Sequence, residues 1–343
     1  MSPSLRTRPL TGVLLAGAAV ALALGLGVGL GPTTVPLWSA TTSMLDRLPF
    51  VAMESGLTEA QEAILWELRL PRTVLGMLVG GLLAIAGGAY QGVFRNPLAD
   101  PYLLGVAAGA GLAATLGITT GLATTNTLPL WAFLGALGGV ALTYALGASV
   151  GRGHSTTVLI LAGVAVASFL TAAQTFVQQR NAETLREVYS WILGRLTTVG
   201  WDEVLTLLPY AAVSSVGLLV MRRLLDVLGV GDDEAVALGV PVTRVRVAIL
   251  VLASLGTAAA VAASGLIAFV GLVVPHAVRM LAGSSYRVIL PMSLAFGGAF
   301  LVFADLLART LVAPSELPIG VVTAFFGAPF FALILRSAGT ARA

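Results

Sequence analysis

Few residues in this sequence could do chemistry, and the adjacent carboxylates Asp232 and Asp233 come first. They match half of a DDxxD motif, in which carboxylates hold a diphosphate through Mg²⁺. Val236 stands where the third carboxylate is needed, so the spacing favours a structural role over a metal site. Asp232 is then predicted to cap a short helix whose positive end Asp233 and Glu234 complement. Gly239 is predicted to end that helix.

Neither of the two histidines has the neighbours that a metal site or a catalytic base requires. His276 follows Pro275 in an apolar run and His154 lies in a predicted turn, and neither has a second histidine or a carboxylate at ligand spacing. The absence of cysteine excludes disulfides, thiolate metal sites and cysteine nucleophiles. We therefore predict no catalytic residue, no metal site and no cofactor bound by this chain.

All 19 basic residues are arginine, which excludes one class of enzyme. A Walker A loop needs a lysine to hold the terminal phosphates of its nucleotide, so the chain does not hydrolyse nucleotides by that route. Arg69 and Arg72 fall on the outer side of the membrane in the predicted topology, where arginine is less common than on the inner side. They could bind lipid phosphate or pair with carboxylates of an external protein, and the residues alone leave both open.

The remaining polar candidates lie within apolar segments. Asp305 and Arg309, four residues apart near the outer end of a span, predict a structural ion pair more than a proton relay. We expect no carboxylate at mid-membrane, which argues against ion-coupled transport because such transporters bind the ion through an ionisable group. A polar stripe at helical spacing predicts either helix-to-helix hydrogen bonds or a water-accessible path, at Thr171, Gln174, Thr175 and Gln178.

These residues belong to a chain built almost entirely of apolar segments. Its 343 residues are 57% hydrophobic and 10% charged, against about a quarter charged in soluble domains. A membrane-spanning helix needs roughly 20 apolar residues, so we predict a single all-α membrane domain of about ten spans over residues 1–343, with no soluble catalytic domain. The spans are placed at 10–30, 73–94, 102–122, 128–150, 156–177, 204–220, both sides of a break at Ser264-Gly265 within 247–282, 288–307 and 318–335.

The segments between the spans predict smaller elements and the topology. An amphipathic helix is predicted at 58–68 and an outer helix within 179–201, and Gly76/Gly80 and Gly105/Gly109 have the spacing that lets helices approach closely. With the N-terminus inside, twelve arginines fall on the inner side and seven on the outer side. We therefore predict that both termini are cytoplasmic. The pI near 9.7 reflects this arginine surplus and requires no nucleic-acid partner.

The one long charged segment between apolar runs is 221–246, which holds eight of the 35 charged residues. We interpret it as a cytoplasmic loop on which a partner docks. Residues 223–228 predict a short helix, separated by Gly229 and Gly231 from the helix that Asp232 caps. Two short helices projecting from a membrane domain would fit a groove in a partner protein.

Several stretches together resemble one family, the permease subunits of ABC importers for cobalamin, haem and iron-siderophore complexes (FecCD-type, type II importers). The matching stretches keep the family's order and cover most of the chain from residue 69 onward: RLPRTVLGMLVGGLLAIAGGAYQGVFRNPLADPYLLG (69–105), LAGVAVAS (161–168), GDDEAVALGV (231–240), GLIAFVGLVVPHAVRMLAG (265–283) and ELPIGVVTAFFGAPFF (316–331). The resemblance implies a fold of ten helices, a homodimer of permeases around a central pathway in the lipid of the bacterial cytoplasmic membrane, two ATPase subunits that bind ATP and Mg²⁺, and an extracytoplasmic substrate-binding protein.

The resemblance also implies roles for individual residues. Coupling to the ATPase is implied for Arg223, Asp232, Asp233, Glu234, Ala235, Leu238 and Gly239. Arg69, Arg72 and Arg309 match positions at which the family presents outer arginines to acidic residues of the binding protein. Our candidates for lining the translocation pathway come from the polar stripe: Thr171, Gln174 and Gln178.

These expectations amount to import by alternating access, driven by a partner ATPase. Two alternatives come from other classes of protein, an ion-coupled secondary transporter working without an ATPase and an intramembrane enzyme. The lack of a predicted mid-membrane carboxylate argues against the first, and the lack of an acid–base or ligand cluster argues against the second. No residue identifies the cargo, and an iron chelate such as a siderophore or haem is expected ahead of cobalamin because importers of iron chelates are commoner.

Overall fold

The computed structural model describes residues 9–31, 33, 35–47, 53–150, 156–196 and 198–340. The regular secondary structure among them is helical, with no strand. An apolar medium favours helices, because a helix satisfies its backbone N–H and C=O groups internally. The α-helices are α1 Pro9–Gly29, α2 Leu37–Asp46, α3 Glu59–Ala63, α4 Leu70–Val93, α5 Val106–Thr119, α6 Leu128–Ser149, α7 Thr156–Arg180, α8 Leu185–Ile192, α9 Asp202–Val230, α10 Asp232–Ala237, α11 Val242–Ser264, α12 Val270–Ala282, α13 Tyr286–Thr310 and α14 Ile319–Thr340.

Ten apolar helices are present in the described part of the chain, as the sequence predicts. Seven are long and apolar enough to cross a membrane, namely α1, α3 with α4, α6, α7, α9, α11 and α13. Three are shorter, namely α5, α12 and the segment Ile319–Leu333 of α14. The predicted break at Ser264-Gly265 is confirmed, since α11 ends at Ser264 and α12 begins at Val270.

The two predicted helices outside the spans are also present. Thr58 begins α3 with a capping box, in which its hydroxyl accepts from the Gln61 N–H and the Gln61 side chain accepts from the Thr58 N–H. The helix does not end before the membrane, because a π-helical turn at Ile64–Arg69 carries it into α4. The predicted outer helix corresponds to α8.

Helix α4 is the centre of the bundle and packs against α9, α11, α12 and α13. Glycine permits the closest of these contacts, since a Cβ added to Gly80 would lie 2.3 Å from the carbonyl oxygen of Gly297 in α13. The same holds between α5 and α6, where a Cβ on Gly109 would lie 2.1 Å from the Gly135 oxygen. Close helix approach at these predicted glycines is therefore confirmed.

Helix α4 also defines the two ends of the bundle. Arg72 lies in its first turn, and Arg95, just beyond its last turn, bonds to Asp232 of α10. The two ends are called the Arg72 end and the α10 end below. Helix α5 has 14 residues and extends only about 21 Å, which is less than the roughly 30 Å of a membrane's apolar core.

The non-helical approach to α5 places a carboxylate inside the bundle, at Asp100. A Cβ on Gly271 would lie 2.5 Å from Pro101 and 2.7 Å from the Leu83 carbonyl oxygen, so Pro101 lies at the level of Leu83. Leu83 precedes the end of α4 by ten residues, or about 15 Å. The expectation that no carboxylate lies at mid-membrane was therefore wrong. Asp100 accepts a hydrogen bond from the Tyr102 N–H at 2.8 Å.

The predicted short helix at 223–228 was wrong, because α9 continues from Asp202 through Val230. Leu225 and Leu228 are fully buried in the bundle, with 0% and 1% exposure. Their packing outweighs the cost of about 1 kcal/mol that Gly229 imposes within a helix. Residues 221–230 and 242–246 of the predicted loop are thus parts of α9 and α11.

The predicted cap of α10 was wrong at its start, and the predicted end was confirmed. Asp232 is the first helical residue and makes no capping hydrogen bond, because its carboxylate binds two arginines instead. Gly239 has φ +78°, a left-handed conformation that glycine adopts without strain. Its N–H donates to the Val236 oxygen at 2.9 Å, which closes the last turn.

Candidate functional site

Helix α10 presents a mixed apolar and acidic surface at one end of the bundle. Val236 and Leu238 are 61% and 68% exposed, and Asp233 and Glu234 are exposed beside them. Ala235 is fully buried and anchors the opposite face of the helix. Exposed apolar side chains rimmed by charges are typical of a contact surface for another protein.

An ion cluster fixes α10 to two long helices through Asp232. Arg246 of α11 donates from Nη2 to both Asp232 carboxylate oxygens at 2.9 and 3.0 Å, and Arg95 after α4 donates to Oδ1. The Arg246 side chain is only 8% exposed, so its charge depends on this carboxylate. A displacement of α10 would therefore act directly on α4 and α11.

The structure brings together six of the seven predicted coupling residues, all except Arg223, which is exposed on α9. Sequence reasoning missed Arg95 and Arg246, although both were available as basic residues flanking predicted spans. Their contact with Asp232 joins positions 137 and 14 residues apart along the chain. The coupling role of all these residues stays a prediction.

A second ion cluster lies at the Arg72 end and consists of Arg72, Asp305, Arg309 and Glu316. Arg72 donates from Nε and Nη2 to Asp305 Oδ1 at 3.0 and 2.7 Å. It also donates from Nη1 and Nη2 to the two Glu316 oxygens, both at 2.9 Å. The predicted pair of Asp305 with Arg309 is confirmed at 3.5 Å. Two arginines and two carboxylates leave this group, called the Arg72 cluster below, without net charge.

Glu316 is the residue of the Arg72 cluster that sequence reasoning missed. Its side chain is 43% exposed, whereas that of Asp305 is 5% exposed. Hydrogen bonds from Arg72 hold the pKa of the Glu316 carboxyl below its usual value. The carboxylate form, and with it the contact to Arg72, is therefore present near neutral pH and is lost as the pH falls through that lowered pKa.

The other two predicted docking arginines are buried against the C-terminus of α1. Arg69 is 5% exposed, and its Nη1 donates to the Val28 and Gly29 oxygens at 2.8 and 3.2 Å. Arg309 is 6% exposed, and its Nη2 donates to the Gly27 oxygen at 2.6 Å. The last carbonyls of a helix have no partner within it and carry partial negative charge, which explains why arginines collect there.

Arg69 and Arg309 therefore do not present their guanidinium groups to an external partner in this structure, contrary to expectation. Arg72 comes closest to the surface, with 15% of its side chain exposed. Docking at this end stays a prediction, and it concerns Arg72 more directly than the other two.

The predicted pathway residues do not share one environment. Gln174 is buried against α5, where Gly111 leaves room for its amide, since a Cβ there would lie 2.8 Å from Gln174 Oε1. Thr171, one turn earlier in α7, is exposed, and Gln178 is half-buried. Helix-to-helix packing thus explains Gln174, and a pathway role for the three stays a prediction.

An apolar cavity of about 690 Å³ lies elsewhere, between α8, the break after α11 and one face of α14. Its lining includes Leu193, Leu266, Val321 and Phe325, and none of the three predicted pathway residues. Phe325 is 76% exposed and Phe326 is 49% exposed on the same helix. Such an apolar wall has few groups that could bind a polar cargo tightly.

The structure adds no candidate metal centre within the residues it describes, where no three metal-ligating side chains come together. His276 is half-buried in α12 and lies near Pro97 and Phe330. His154 lies outside the described residues.

Comparison with known proteins relates this arrangement to transport permeases. The chain is 42% identical over 285 residues to the cobalamin import system permease protein BtuC of Halobacterium salinarum, covering 83% of this chain and 76% of that one. It is 38% identical over 294 residues to the Fe(3+)-citrate import system permease protein YfmD of Bacillus subtilis, covering 86% and 87%.

A solved structure, described as an inward-facing metal-chelate type ABC transporter, has the same fold. The two superpose with a TM-score of 0.83 at 28% identity, over 95% of this chain and 98% of that one. The sequence profile of the FecCD transport family matches residues 13–337. The chain is therefore a multi-pass membrane protein that belongs to the FecCD transport family.

Proposed function

We propose that this chain is the permease subunit of a binding-protein-dependent ABC importer that carries a metal chelate into the cytoplasm. The observation that carries the proposal is α10, a short exposed helix whose Asp232 is tied by ion pairs to α4 and α11. A partner ATPase that binds ATP and Mg²⁺ would seat on Val236 and Leu238. Its movement would then reach both long helices through one carboxylate.

The proposed mechanism is alternating access in a homodimer. Phe325 and Phe326 make α14 an exposed apolar face beside the cavity, and a second copy of the chain would close the pathway there. A binding protein would dock at the Arg72 end and release its cargo between the copies. The ends of this chain, and α10 with them, would lie in the cytoplasm.

The proposed cargo class is a metal chelate, either an iron complex or cobalamin. Relatives named for cobalamin and for iron citrate match at 42% and 38% identity, a difference too small to choose between the two. The apolar cavity wall supports weak contact with a bulky cargo, which would leave selection to the binding protein. The reaction of ATP would belong to the partner, since the family consists of transport permeases.

Asp100 gives one alternative a specific basis, namely an ion-coupled transporter without an ATPase. Its carboxylate lies inside the bundle, where a coupling ion could bind. Among the described residues, its carboxylate accepts a hydrogen bond from the backbone N–H of Tyr102, which suits a turn cap as well as an ion site. This alternative assigns no role in transport to the ion pairs of Asp232 with Arg95 and Arg246.

One reconstitution separates the two proposals. The permease is placed in liposomes with the ATPase and binding protein encoded beside its gene, and uptake of ferric siderophore, haem and cobalamin is measured. The importer requires ATP and the binding protein, and uptake of one cargo is expected to stop when either is omitted. Uptake driven by a proton or sodium gradient in liposomes that lack the ATPase would refute the importer and favour coupling at Asp100.

A further inference from the structure

The guanidinium of Arg72 is nearly saturated by the protein's own carboxylates. Of its five N–H groups, Nε donates to Asp305, Nη1 donates to Glu316, and Nη2 donates to both. Only one N–H of Nη1 has no acceptor among the described residues. A carboxylate from another protein therefore cannot form a bidentate pair with Arg72 unless one of the two acids leaves.

Asp305 and Glu316 differ in how easily each could leave. Asp305 is 5% exposed and also faces Arg309, so withdrawing it would strand a buried charge. Glu316 is 43% exposed, and Arg72 is its one ion-pair partner among the described residues. An ion pair with an exposed partner is weak, commonly below about 1 kcal/mol, because water solvates the released carboxylate.

We infer that Glu316 is an exchangeable counter-ion that occupies the place of a partner's carboxylate on Arg72. The inference rests on the proposed docking of a binding protein at the Arg72 end. Docking is then an exchange of one carboxylate for another, not the meeting of a free cation with an acid. The affinity of the permease for the binding protein then depends on how much more strongly the partner's carboxylate binds Arg72 than Glu316 does. This difference favours partners whose carboxylate can approach both Nη atoms.

The exchange would occur next to the cavity wall. Glu316 precedes α14 by three residues, and the Ile319 and Gly320 N–H groups donate to the Gly194 and Leu193 oxygens. Glu316 is thus the charged residue closest to the start of the helix that carries Phe325.

The test compares docking of the neighbouring gene's binding protein to the full permease complex in nanodiscs. Glu316→Gln removes the competing charge while keeping the shape, so the dissociation constant is expected to fall by about threefold to fivefold. Glu187→Gln is the matched control, because this exposed acid of α8 carries the same charge and makes no ion pair among the described residues. Its dissociation constant should change by less than about twofold. An unchanged or weaker affinity in Glu316→Gln would overturn the inference.

A double-mutant cycle shows whether the effect passes through Arg72. Arg72→Gln should weaken docking, and adding Glu316→Gln to it should then change nothing further. Equal tightening in both backgrounds would overturn the exchange. If Arg72→Gln leaves docking unchanged, the proposed docking site is itself wrong, which is a distinct outcome.

A second measurement needs no partner. Phenylglyoxal labels accessible arginines, and mass spectrometry follows the adduct at Arg72 in the purified permease. Loss of the Glu316 carboxylate should raise the labelling rate of Arg72 severalfold, with no such change in Glu187→Gln. Equal rates in the three proteins would show that Glu316 does not cover Arg72 and would overturn the inference even if docking varies.

Discussion

The contact of Asp232 with Arg246 predicts how firmly α10 is held, and Asp232→Asn tests it. A hydrogen bond to a charged group contributes about 1.5–3 kcal/mol, and Asp232 makes such bonds to two arginines. Its side chain is 44% exposed, so solvent screening reduces the total to about 2 kcal/mol. Arg246 is buried and its Nε has no partner among the described residues, so no other acceptor compensates for the loss.

Amide hydrogen exchange of residues 232–240 in nanodiscs measures this loss directly. A loss of about 2 kcal/mol corresponds to about thirtyfold more frequent opening of α10, and so to faster exchange by that factor. Asp233→Asn is the control, because it removes the same charge from an exposed neighbour that makes no ion pair among the described residues. Exchange in Asp232→Asn within twofold of this control would refute the reasoning that Asp232 fixes α10.

Three further changes test the packing. Arg309→Ala should lower the free energy of unfolding by about 1–3 kcal/mol, because an α1 carbonyl and Asp305 lose their donor, and thermal unfolding should show it. Gly80→Ala should lower the melting temperature, because its Cβ would lie 2.3 Å from the Gly297 oxygen. The control Gly138→Ala should leave the melting temperature unchanged, because no atom lies within 4 Å of the added Cβ. Equal effects of the two substitutions would contradict this packing. Phe325→Arg should yield monomers by light scattering if α14 forms the proposed dimer, and an unchanged dimer would contradict that placement.

The sequence predicts helices and helix ends, which depend on neighbouring residues. It does not predict the side-chain contacts between residues that are distant along the chain. Apolar runs of helical length correctly predicted ten helices, and Gly239 correctly predicted the end of α10. The partners of Arg72 are 233 and 244 residues away along the chain, so no local pattern could show that its charge is compensated. Asp100 was missed because it falls between the predicted spans 73–94 and 102–122, whereas the segment packs within the bundle.

The contacts that arginines make with residues distant along the chain also change the arginine count used to predict the membrane topology. The positive-inside rule concerns arginines in loops and at the ends of spans, and the count of seven outer arginines included Arg69, Arg72 and Arg309. Those three bind carbonyls and carboxylates within the bundle, which leaves four at the Arg72 end that could report on orientation. On the predicted inner side, Arg95, Arg246 and Arg279 likewise donate to side-chain oxygens within the bundle, which leaves nine of the twelve arginines counted there. The arginine bias from which we predict a cytoplasmic α10 is therefore larger once these internally bound residues are set aside.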